Sequence, residues 1–168
     1  MSHSRANDQH HTSASVIKAV GDLMLVLTSN SYKDRGKEWL TTEALTDWVD
    51  SQWDGDVFNE GKTVSNNPFL YNHEGITIGR IVWADMFGPF LVEVARKRES
   101  LVPEFQEYID KIWDRVKDEP KGWGASHKFS FKLKDRDSDG TYHRIRKIET
   151  TVLRRVFAAN LLTLAKVI

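Results

Sequence analysis

The stretch Gly122-Trp-Gly-Ala-Ser-His-Lys-Phe-Ser-Phe131 constrains this chain more than any other. Phe129, Phe131 and Leu133 alternate with Lys128, Ser130 and Lys132, which is the period-two pattern of a half-buried β-strand. Gly122 and Gly124 sit where that strand begins, and glycine lets a backbone approach closely or take positive φ. Ser126 therefore lies at the mouth of a strand, beside backbone N–H groups. A nucleophilic serine needs such a place, with donors near a developing oxyanion. A tight turn leading into an ordinary strand gives the same pattern, so the stretch needs partners elsewhere in the chain.

Composition narrows the classes. The 168 residues suit one domain, read as 16–168, behind a polar leader at 1–15 that is expected to be disordered. Lys plus Arg and Asp plus Glu are 24 each, so no broad attraction to nucleic acid or to an anionic membrane is expected. Without cysteine there is no disulfide, no thiol nucleophile and no thiolate metal site. No apolar run reaches the ~20 residues of a membrane span. The N-terminus lacks the apolar core of a signal peptide, so the expected place of action is inside the cell that makes the protein.

Along the chain, 16–28 reads as one or two strands broken at Gly21-Asp22, with Leu23–Leu27 buried on both faces. Thr41 or Thr42 caps a helix whose Ala44, Leu45, Trp48, Val49 and Trp53 share a face. A long polar loop over 54–68 precedes Leu70-Tyr-Asn-His73. Strands over 76–84 and 90–95 form a hairpin around Gly88-Pro89. Pro103 opens a helix with Phe105, Ile109, Ile112, Trp113 and Val116 as its apolar stripe. After the Ser126 strand, Asp139-Gly140 marks a hairpin turn into a return strand over 142–153. Residues 156–168 are expected to pack on the core as a helix or a strand.

Two constellations carry chemistry. Asp135, Asp137, Asp139 and Gly140 imitate the start of an EF-hand loop, but its twelfth position is Arg146 rather than an acid and its flanks read as strands, which excludes calcium binding there. The second is Ser126 with His73 and Glu149. A serine hydroxyl needs an imidazole to take its proton, and the imidazole needs an acceptor that fixes its tautomer. Glu149 lies on the strand expected to pair with the Ser126 strand. His127 and His143 compete for the base, against a reading of both as solvent-facing strand positions.

Four blocks together resemble the phage prohead (procapsid maturation) serine protease family. Asp34-Arg-Gly-Lys-Glu-Trp-Leu-Thr-Thr-Glu-Ala-Leu45 is similar to a segment near the start of those enzymes. Leu70-Tyr-Asn-His-Glu-Gly-Ile-Thr-Ile-Gly-Arg-Ile81 resembles the segment that carries their histidine, and Gly122–Phe129 the segment that carries their nucleophile. Ile148-Glu-Thr-Thr-Val-Leu153, followed by Ala158-Ala-Asn160, resembles a fourth. The blocks keep the family's order and cover about residues 18–163. Leu161 replaces the family's usual proline, and Lys128 stands where many relatives have glycine.

The resemblance implies an α+β, herpesvirus-protease-like fold: a distorted, mostly antiparallel β-barrel wrapped by a few helices. It implies a serine endopeptidase with catalytic Ser126, His73 and Glu149, in which Glu149 competes with a second histidine for the third place. Arg154 and Arg155 resemble an arginine pair that supports the oxyanion, against a reading as a solvated strand end. No metal and no organic cofactor is implied. The expected substrates are the major capsid protein or the scaffolding protein inside the assembling prohead in the host cytoplasm, with self-cleavage and homo-oligomers as further expectations. The competing class is a non-catalytic head-assembly, scaffolding or ring-forming domain on the same barrel.

Overall fold

The computed structural model describes residues 16–20, 22–34, 37–52, 57–59, 62–64 and 67–158. The leader at 1–15, Trp53 and the segment 159–168 lie outside the described residues. Among the described residues, eleven strands and two α-helices follow in order: β1 (Val16–Val20), β2 (Leu23–Asn30), β3 (Trp39–Leu40), α1 (Thr42–Ser51), β4 (Val57–Asn59), β5 (Lys62–Val64), β6 (Pro68–Tyr71), β7 (Thr77–Phe87), β8 (Phe90–Lys97), α2 (Pro103–Asp118), β9 (Trp123–Ser130), β10 (Thr141–Tyr142) and β11 (Arg146–Arg154).

The main sheet has the order β1-β2-β8-β7-β6-β11-β9. Only β6 and β11 run parallel; its other neighbours are antiparallel. The protein is α+β, and the sheet curls strongly into a half-barrel that brings β2 against β9. The β7–β8 hairpin turns at Gly88-Pro89 as expected, with both strands extending beyond the expected limits. Gly79 is required in β7, because a Cβ there would stand 2.5 Å from the Arg96 carbonyl oxygen.

Each helix forms for a local reason. The Thr41 hydroxyl accepts from the Ala44 N–H at 3.2 Å and caps α1, while Glu43 complements the helix dipole. Pro103 in the first turn of α2 loses no helical hydrogen bond, and Arg115 and Lys117 lie in the last turn. Ile109, Ile112, Trp113 and Val116 of α2 pack with Met24, Phe69, Ile78, Ala125 and Val152. Phe105, expected on that stripe, is 36% exposed one turn before the core begins. On α1, Ala44, Leu45 and Trp48 join Leu40, Leu91, Phe129 and Tyr142 in a second cluster.

Three local expectations are corrected. Asp139-Gly140 does not join β9 directly to β11. The chain makes a 3₁₀ turn over Leu133–Asp135, then β10, which pairs in parallel with β3, and β11 starts only at Arg146. Phe131, Tyr142 and Ile145 of this connection are buried in the α1 cluster, which holds the segment against α1. Leu133, placed on the buried face by alternation, is 77% exposed in that turn. Leu23 is 42% exposed at the start of β2, while Met24 and Val26 are fully buried.

Between the two apolar clusters the interior is polar. Leu91, Glu93 and Ala95 point the same way along β8, and Glu93 separates the cluster of Leu91 from that of Ala95. Thr28 of β2, His127 of β9 and Lys147 and Thr150 of β11 are buried too. Glu93 accepts from the Thr28 hydroxyl at 2.6 Å and from the Thr150 hydroxyl at 2.7 Å. Trp48 and Gln52 close this layer from the side of α1, each donating to Glu93 at 3.0 Å.

Candidate active site

His73 sits on the tight turn between β6 and β7. Asn72 and His73 have φ of 51° and 57°, and the Glu74 N–H donates to the Tyr71 carbonyl at 3.0 Å. Positive φ at both central residues is the signature of a type I′ turn, for which asparagine is well suited. The Asn72 N–H donates to the Val152 carbonyl at 3.0 Å, which ties the turn to β11. A left-handed histidine persists only where its surroundings hold it.

Those surroundings include Glu149. Its Oε1 lies 2.6 Å from His73 Nδ1. An ionised carboxylate only accepts, so Nδ1 carries a proton and donates, and in the neutral ring the lone pair is then the one on Nε2. Thr151, two residues along the same face of β11, donates its hydroxyl to Glu149 Oε1 at 3.3 Å and lies 3.3 Å from His73 Nδ1. Burial pushes the Glu149 pKa up. The hydrogen bond and charge of His73, the nearby Lys128 ammonium and the Thr151 hydroxyl outweigh that and leave it below the ordinary value.

Ser126 reaches the same place through the β9–β11 ladder. It is paired with Thr151, and Lys128 is paired with Glu149. Cross-strand partners point to one face, with Cβ atoms about 4.5–5.5 Å apart. Ser126 and Glu149 therefore share a face of the sheet, and Thr151 stands beside both Ser126 and His73. Ser126 is 1% exposed.

The arginines separate. Arg154 is paired with Trp123, and that pair faces away from the Ser126–Thr151 pair. Its guanidinium lies 4.3 Å from the Trp123 ring centroid and donates to Glu119 at 2.7 Å. Arg155 begins the 3₁₀ turn that follows β11 and is half-buried.

The competing histidines separate as well. His143 is an exposed residue, as expected, and bonds Asp137 at 2.8 Å, which raises its pKa. His127 is 1% exposed, against the expectation of a solvent-facing position. It lies edge-on to Trp48 with centroids 4.8 Å apart and 5.6 Å from Phe129. Strand parity explains this, since His127 shares the inward face with Ala125 and Phe129 while Ser126 takes the other.

Sequence reasoning missed Thr151 and the buried Glu93–Lys147 pair. Thr151 becomes visible only from the register. Glu93 had a signal, a lone acid inside the apolar strand Phe90-Leu-Val-Glu-Val-Ala95. An open cleft of about 680 Å³, lined by Asp47, Ser51, Ser130, Asp135 and Arg144 among others, includes none of Ser126, His73 or Glu149. Among the described residues no cluster of three or more His, Asp or Glu could hold a metal ion, and no helix is long and apolar enough to cross a membrane. No protein-family model, curated protein or solved structure matches this chain.

Proposed function

We propose that this protein is a serine endopeptidase of the prohead-maturation type, on a herpesvirus-protease-like version of its curled sheet. The supporting observation is the contact of His73 Nδ1 with Glu149 at 2.6 Å, beside the residue paired with Ser126. In this reading Nε2 of His73 takes the Ser126 proton as the hydroxyl attacks a peptide carbonyl, then returns it to the leaving amine. Glu149 holds the tautomer and stabilises the imidazolium. Backbone N–H groups, with Arg155 rather than Arg154, support the oxyanion. The substrate is capsid or scaffolding protein within the assembling head in the host cytoplasm, and the chain's own termini are a second target.

The near-complete burial of Ser126 favours a second reading, a barrel that only mediates head-assembly contacts. One experiment separates the two. The protein is treated with a fluorophosphonate probe and, in parallel, co-expressed with candidate capsid and scaffolding proteins. Labelling and cleavage that both vanish in Ser126→Ala support the peptidase. A folded wild-type protein that neither labels nor cleaves supports the structural domain.

A further inference from the structure

The polar layer inside the half-barrel brings an amine, a carboxamide and a carboxylate together in a buried place. Lys147 Nζ lies 3.0 Å from Gln52 Oε1 and 2.9 Å from Glu93 Oε1. Gln52 Nε2 lies 3.0 Å from the same Glu93 oxygen. The three groups thus close a ring, each bonded to the other two. The Lys147 and Glu93 side chains are 1% and 0% exposed, and Gln52 is 2% exposed. The Trp48 ring centroid is 5.4 Å from Nζ. Burial holds the Lys147 ammonium below its ordinary pKa, opposed by Glu93.

We propose that Lys147 and Gln52 join in an intramolecular isopeptide bond, with Glu93 as the proton carrier. Burial pushes the Glu93 pKa up, but Lys147 and the Thr28 and Trp48 donors outweigh it and leave it below the ordinary value, so Glu93 rests as the carboxylate and takes a proton from Nζ only transiently, as the amine reacts. The freed lone pair then attacks Cδ of Gln52, whose carbonyl oxygen is already within hydrogen-bond distance of Nζ. The new Nζ–Cδ bond forms as the C=O π electrons move to Oε1. Glu93 passes its proton to Nε2, the carbonyl re-forms, and the Cδ–Nε2 bond breaks to release ammonia. Glu93 takes the surplus proton from Nζ and hands it to the departing ammonia. A lysine ammonium and a carboxamide thus give a secondary amide and one ammonium ion. Nothing is oxidised or reduced, and Glu93 ends as the carboxylate it began as. Holding the reactants together in the fold supplies the effective concentration that free side chains lack.

The site also suits such a bond mechanically. Gln52 caps the end of α1 and Lys147 lies near the start of β11, 95 residues later. One covalent link there fastens α1 over the curled sheet.

The test is the intact mass of the purified full chain under denaturing conditions, with peptide mapping. The expected mass is about 17 Da below that of the unmodified sequence, one ammonia, and the map shows the Gln52 peptide joined to the Lys147 peptide. Lys147→Arg, Gln52→Leu and Glu93→Gln should each return the full mass. A wild-type chain that unfolds cooperatively yet keeps its full mass overturns the proposal and leaves a non-covalent network. A 17-Da loss mapped to any other residues overturns it too, as does a Glu93→Gln chain that is still cross-linked. If a variant fails to fold, the wild-type mass and map still decide. Proteolysis changes mass by whole residues, so the outcome is independent of the peptidase reading.

Discussion

Nδ1 of His73 lies 2.6 Å from Oε1 of Glu149, although 76 residues separate them. The contact joins a left-handed turn to a central strand, and it sets which ring nitrogen carries the proton. Substitution of Glu149 therefore tests a chemical role with little change of shape. Glu149→Gln is expected to lower kcat by about 10²–10⁴ with the fold intact, because the amide can favour the wrong tautomer and cannot stabilise the imidazolium. Ser126→Ala should abolish turnover. The measurement is cleavage of a co-expressed capsid or scaffolding protein, and an undiminished Glu149→Gln removes Glu149 from the mechanism.

The same contact predicts a pH dependence of stability. The folded-state pKa of Glu149 is depressed, so it stabilises the native state fully above the unfolded value of about 4.3. That contribution declines as pH falls below this value and through the folded pKa. Urea midpoints of the wild type and Glu149→Gln should differ most near neutral pH and converge in acid. Curves that stay parallel down to the acid limit would show that Glu149 gains nothing from His73.

Gly79 tests the packing of β7 on β8. A Cβ there would meet the Arg96 carbonyl oxygen at 2.5 Å, and backbone cannot step aside as a side-chain tip can. Gly79→Ala is expected to destabilise by about 1–3 kcal/mol, read by chemical denaturation. An unchanged midpoint would mean that the hairpin parts there at no cost.

His127 and His143 should respond differently. His127→Ala opens a void beside Trp48 and Phe129 and is expected to cost about 2 kcal/mol, with kcat retained in the folded protein. His143→Ala changes an exposed residue and should leave both stability and kcat nearly unaltered. A folded His127→Ala without activity would show that the inward face of β9 supports the site and that the two faces are not independent.

The arginine pair gives a contrast within two residues. Arg154→Ala removes a stack on Trp123 and an exposed bond to Glu119, a loss of less than about 1 kcal/mol, and should not alter kcat. Arg155→Ala should lower kcat by about 10²–10³ with KM little changed, as expected for an oxyanion donor. Steady-state kinetics on both variants decide, and equal rates for the two would return Arg155 to a structural role.

The local chemistry was legible in the sequence by itself. Thr41 announces the start of α1, Pro103 the start of α2, and Gly88-Pro89 the β7–β8 turn, because caps, prolines and glycines act over a few residues. Alternation around Phe129 marks a strand with a buried face, and the four sequence blocks point to His73, Ser126 and Glu149. What lay beyond local reach was decided by pairing and curvature. Only the β9–β11 register sets Ser126 against Thr151 and turns His127 and Arg154 to the other face, since a shift of one residue would exchange the faces. The 3₁₀ turn over Leu133–Asp135 and the pairing of β10 with β3 interrupt a return strand that local pattern alone would have continued, and β3 is far from β10 in sequence. Glu93 stands out in the linear chain as a lone acid in an apolar strand, but nothing there names Lys147 as its partner. They meet inside the half-barrel because its curl brings β2, β8, β11 and α1 around one point, and only a partner of opposite charge makes either tolerable there.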